Sequence, residues 1–62
     1  MQDIVRSAIN ASLACNWEEA IDLNLQVLAN NPDDIGALNR LARAYTELDQ
    51  KTSAKEIYQR VL

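Results

Sequence analysis

The chain has no histidine and no phenylalanine, and only one glycine, one proline and one cysteine among its 62 residues. Each shortage closes off a class of protein. With Cys15 alone no intrachain disulfide can form, and without histidine a zinc site has almost no ligands to draw on, so no metal or other cofactor is expected. A nucleophile needs a nearby base, and Cys15 has no activating partner at helical spacing; the chain is therefore expected not to be an enzyme. No apolar run approaches the roughly 18 residues of a membrane span. The amino terminus lacks the basic-then-apolar layout of a signal peptide. A formal net charge of −3 gives no general attraction to nucleic acid or to an anionic membrane surface. The expected setting is soluble and cytoplasmic, with no nucleic-acid or membrane partner.

Chains of this size bury only about 60% of the surface that their unfolded form exposes. With disulfides and metals excluded, stability must come from helix packing, helped by self-association or by a neighbouring unit. Composition agrees: Ala, Leu, Asn, Asp, Glu, Gln and Arg fill much of the sequence, and β-branched residues are scattered rather than alternating.

Four helices are legible. Ile4, Val5, Ala8, Ile9, Ala11 and Leu13 give the first a broad apolar face, with Asp3 as its best capping residue. The second is predicted from about Trp17 to Ala29. Asn16 and Glu19 form a capping box ahead of it, the Asn side chain accepting from first-turn N–H groups and Glu19 reaching back to the Asn16 N–H. Glu18, Glu19 and Asp22 complement the positive end of the helix dipole. Asn30 and Asn31 tolerate a left-handed closing residue, and Pro32 cannot continue a helix. Asp33 or Asp34 caps the third helix, whose stripe is Leu38, Leu41, Ala42, Tyr45 and Leu48. Asp49-Gln50-Lys51 breaks that stripe, and Ala54, Ile57, Tyr58, Val61 and Leu62 carry the fourth. Short links force neighbouring helices antiparallel, so the expected fold is all-α: two tandem helix hairpins in a single domain, residues 1–62.

The chain also repeats itself. A shift of 34 positions pairs Arg6 with Arg40, Ala8 with Ala42, Ala20 with Ala54, Val27 with Val61 and Leu28 with Leu62. Large apolar residues stay large, with Ile4 falling on Leu38 and Leu23 on Ile57. At these residues the sequence resembles the tetratricopeptide repeat (TPR) family, whose pattern is W-x₂-L-G-x₂-Y…A-x₃-F…P. The second unit matches through Leu38-x₂-Leu41-Ala42-x₂-Tyr45 and Ala54-x₃-Tyr58, the first through Asn16-Trp17-Glu18-Glu19-Ala20-Ile21 and Pro32. Repeat one then spans residues 1–34, and repeat two, residues 35–62, is incomplete. Departures stand at Ser7, where the pattern wants Leu, at Ala11, where it wants Tyr, and at Asn24, where it wants a large aromatic. Cys15 stands where the family often has glycine. Ala8, Ala20, Ala42 and Ala54 are the expected sites of closest helix approach, with Tyr45 and Tyr58 filling the space between.

The resemblance implies a non-catalytic protein–protein interaction module, in which the first helix of each hairpin lines a concave groove that holds a peptide or partner helix. Carried onto this chain, the groove comprises Val5, Arg6, Ile9, Leu13, Asn39, Arg40, Arg43 and Glu47. Its charge is slightly positive within an acidic chain, which points to an acidic segment or carboxylate as partner. The plainer alternative is that these arginines are ordinary solvated residues whose stems cover apolar surface. Adaptor members of the family hold a C-terminal carboxylate with Lys, Asn and Arg side chains spread over three hairpins. Val5 and Ile9 donate no hydrogen bonds, so that clamp is not expected; an apolar half-groove at Val5, Ile9 and Leu13 beside a basic half-groove is. A rival reading places a self-association face at Ala54, Ile57, Tyr58 and Val61, left partly bare where the chain stops within an expected helix. The chain is then a scaffold piece from a longer array or a homo-oligomer. Among the remaining residues, Cys15 reads as an inert turn or core residue and Trp17 as a lid on the first hairpin. Glu18-Glu19 and Asp33-Asp34 read as helix starts, since adjacent helical residues do not face each other. RNA binding is disfavoured by the acidic balance and the lack of aromatic rows.

Overall fold

The computed structural model describes residues 2–61 as four helices: α1 (Gln2–Leu13), α2 (Trp17–Asn30), α3 (Ile35–Glu47) and α4 (Lys51–Val61). The fold is all-α, as the periodicity predicts, and the α2 boundaries agree within one residue. Leu62, assigned above to the fourth stripe, lies outside the described residues, as does the side chain of Asp3. Asp3 falls inside α1 instead of preceding it. Each helix packs on the next, α1 on α2, α2 on α3 and α3 on α4, giving two antiparallel hairpins in series; α1 and α3 touch more lightly. Among the described residues α3 alone packs against all three other helices.

The two hairpin turns are built alike. In the first, Asn16 N–H donates to Ala11 O at 2.9 Å and Cys15 N–H to Ser12 O at 3.1 Å; in the second, Gln50 N–H donates to Tyr45 O at 2.8 Å and Asp49 N–H to Thr46 O at 3.0 Å. This pairing closes a helix through one left-handed residue, and that residue is Cys15 (φ 60°) in one turn and Asp49 (φ 63°) in the other. Even the hydroxyls repeat: Ser12 Oγ donates to Ala8 O and Thr46 Oγ1 to Ala42 O. Every one of these correspondences is 34 positions apart, so the internal repeat holds at the level of individual hydrogen bonds.

Two expected end signals are not met. Asn30 ends α2 within the helix and Asn31 has a negative φ (−144°), so neither supplies a left-handed closure at the α2–α3 link. Nor does Asn16 cap α2 through its side chain. Its backbone N–H is already committed to Ala11 O, leaving nothing for Glu19 to satisfy, and its Nδ2 donates instead to Glu19 Oε1 at 2.8 Å. Of Asp33 and Asp34, the second caps α3: its Oδ1 accepts from Ala37 N–H at 3.1 Å.

The four alanines chosen as crossing points are all buried: Ala8, Ala20 and Ala42 have no exposure and Ala54 has 5%. A methyl is the largest group that lets two backbones come so close, and Ala11, Ala37 and Ala44 are buried with them. Around these, Val27, Leu28, Leu38 and Leu41 form the core, on which Ile4, Val5, Ile21, Leu23, Tyr45, Ile57 and Val61 lean from half-buried positions. Tyr45 fills space as expected. Tyr58 does not: it is 45% exposed.

Candidate partner-binding cleft

The far half of α1 and the middle of α3 enclose an open cleft of about 440 Å³, lined by Ile9, Ser12, Leu13, Asn39, Arg40 and Arg43. Spacings of three and four residues put Ile9, Ser12 and Leu13 on one face of α1, and Asn39 and Arg43 likewise share a face of α3. The α1 wall is apolar. Ser12 turns its hydroxyl into its own helix, and Leu13, at 77% exposure, is the least covered large apolar side chain described. The α3 wall supplies two guanidinium groups and an amide.

Neither arginine hangs free. Arg40 is half-buried, and its Nε–H donates to Asn24 Oδ1 at 2.9 Å. Asn24 itself has no solvent exposure, and its Nδ2 donates to Ala20 O at 2.8 Å, so both ends of the amide are satisfied. Gly36, one turn before Arg40, leaves room for the guanidinium: a Cβ there would stand 3.1 Å from Arg40 Nη1 and 3.3 Å from Asp34 Oδ1. Arg43 lies with its Cζ 5.6 Å from the centre of the Trp17 ring, within range of a cation–π contact. Trp17 is half-buried against Ala11, Ala20 and Ala44, so it covers the first hairpin as expected while also underlying Arg43.

Five of the groove residues named from sequence thus meet in one place: Ile9, Leu13, Asn39, Arg40 and Arg43. Val5 does not join them; it lines a separate depression of about 260 Å³ with Ile4, Val27, Asn30, Asn31 and Asp34. Arg6 and Glu47 are exposed, outside the lining of the cleft. Of the residues assigned to self-association, Ala54 is buried, Ile57 and Val61 lie half-buried against the core, and Tyr58 is exposed; Ala54 and Tyr58 line one depression together with Thr46, Lys51, Lys55 and Gln59. Cys15 is exposed in its turn.

Asn24, which the sequence marks only as a departure from an aromatic position, is the buried amide that holds Arg40. Its signal was present: Ala20, Asn24, Val27 and Leu28 form the buried stripe of α2, and an amide on such a stripe requires a partner. Among the described residues no three Cys, Asp or Glu side chains gather as a metal site, and no helix is long and apolar enough to cross a membrane. Comparison with protein-family models, with curated proteins and with solved structures gives no significant match in any of the three.

Proposed function

We propose that the chain is a non-catalytic protein-interaction module of the TPR kind, and that the cleft between α1 and α3 receives a peptide segment or helix bearing apolar and acidic side chains. The observation that carries this reading is the cleft's composition: uncovered Ile9 and Leu13 on one wall face two guanidinium groups on the other. Exposed apolar side chains favour burial against a partner, and the arginines select its sign of charge. The recurrence of both hairpin turns at a 34-residue interval supports the family assignment. The exposed single thiol of Cys15 fits a reducing, cytoplasmic setting.

Titration with short acidic, Leu-containing peptides tests the proposal. The expected result is binding that weakens with added salt and is lost when Arg40→Ala and Arg43→Ala are combined. No salt-sensitive binding, or none lost in the double variant, overturns the charged-cleft reading. Self-association through α4 is the second reading, supported by Tyr58 and the apolar depression beside it. A molar mass that rises with concentration in light scattering, and falls back to that of the monomer in Tyr58→Glu, is its expected signature.

A further inference from the structure

Resting on that docking site, we propose that Asn24 is a positioning residue for Arg40, and that Asn24 and Gly36 together present the Nη edge of the Arg40 guanidinium to a carboxylate side chain of the bound segment. Asn24 has no exposure and does not line the cleft, so it touches no partner itself. It acts by what it takes away. A guanidinium offers a carboxylate two forked approaches, one through Nε and Nη2 and one through Nη1 and Nη2. The Asn24 Oδ1 occupies Nε at 2.9 Å and closes the first. Only the end-on fork remains.

Two further features fix the orientation. Gly36 carries no side chain where a Cβ would press on Nη1 at 3.1 Å, so the guanidinium lies over bare helix backbone with Nε already tied. The Asn24 amide cannot swivel away, because its Nδ2 is committed to Ala20 O and the residue is enclosed. A long, flexible arginine loses considerable rotamer entropy on binding an anion. Here much of that freedom is already lost in the folded chain, and the orientation is set for one direction of approach. A purely packing role is served as well or better by a large apolar side chain at this place on the α2 stripe. The amide adds an acceptor aimed at Arg40.

The test titrates the whole chain with acetyl-Leu-Glu-Leu-Glu-Leu-amide and with its counterpart carrying Gln for both Glu, using the wild type, Asn24→Leu and Gly36→Ala. Nitrogen-15 NMR follows the arginine Nε–H signals. The wild type should prefer the Glu peptide by about tenfold, the scale of one charge-assisted bidentate contact. Asn24→Leu and Gly36→Ala should each bring that preference to within about threefold by weakening the Glu peptide alone, with the Gln peptide unaffected. In the wild type Arg40 Nε–H should exchange more slowly than that of exposed Arg6, and lose that protection in Asn24→Leu. A Glu preference that survives in both folded variants overturns the proposal and leaves the docking site standing, as does equal binding of the two peptides by the wild type. If the wild type binds neither peptide, the docking site falls, and the carboxylate-receiving role falls with it. An Arg40 Nε–H as labile as that of Arg6 refutes the positioning contact in either case.

Discussion

The Arg40 Nε and the Asn24 Oδ1 lie 2.9 Å apart, joining α3 to α2 through a side chain that no solvent reaches. The Asn24 amide accepts from α3 through Oδ1 and donates to Ala20 O of its own helix through Nδ2, so the two obvious substitutions should behave differently. Asn24→Ala removes the amide and leaves a void, and should cost about 1–3 kcal/mol. Asn24→Leu fills the space with an apolar group and returns the Arg40 Nε to water, since Arg40 is only half-buried; its stability should stay within about 1 kcal/mol of the wild type. Urea unfolding followed by circular dichroism measures both.

The alanine crossings make a steric prediction. Ala20 has no exposure, and a leucine there must push α2 away from its neighbours. Ala20→Leu should lower stability by about 1–3 kcal/mol, enough to unfold a domain of this size under mild heating. Ala14→Leu, at an exposed turn position, is the control and should shift the melting temperature little.

Left-handed backbone at the two turns predicts stabilising changes. A non-glycine residue at φ 60° carries a conformational penalty, part of which glycine returns by its greater freedom in the unfolded chain. Cys15→Gly should gain about 0.5–1 kcal/mol. Asp49→Gly should gain less, because Asp visits this region more readily than most residues. For a chain of this length a gain of 1 kcal/mol raises Tm by roughly 4–8 °C, which differential scanning calorimetry reads directly.

Capping separates two adjacent aspartates. Asp34 accepts from the Ala37 N–H, whereas Asp33 is exposed and makes no cap. Asp34→Ala should cost about 0.5–2 kcal/mol, and Asp33→Ala should stay within about 0.5 kcal/mol of zero, as judged by denaturant midpoints.

What the sequence conveyed divides by range. The four helices and the alanine crossings are periodic features, and 3.6-residue spacing reports them without knowledge of what lies opposite; the cap of α3 is legible only as one of Asp33 and Asp34, and the hydrogen bond to Ala37 N–H decides for Asp34. Asparagine's intrinsic tolerance of left-handed backbone points to Asn30 and Asn31, whereas the left-handed residues are Cys15 and Asp49, where three-residue links turn one helix back on the next. At Asn16 the same closure claimed the backbone N–H first. Asn24 and Arg40 could not be joined from sequence, since a hydrogen bond across sixteen residues depends on how α2 rotates against α3. Val5 and Ile9 are four residues apart on α1 and read as one apolar half-groove, yet they line different depressions, Ile9 with residues of α3 and Val5 with residues of α2 and the α2–α3 link.

The two walls of the cleft belong to different hairpins, and α1 rests on α3 only lightly. The angle between the hairpins is therefore governed mostly by the seam where α2 meets α3, with Asn24 and Arg40 inside it. Any segment seated between Ile9 and Arg43 bridges that seam from the open side, like a splint across a joint. If the proposed segment docks there, its occupancy and the rigidity of the molecule depend on the same few side chains, and a loosened joint is felt first as a lost grip.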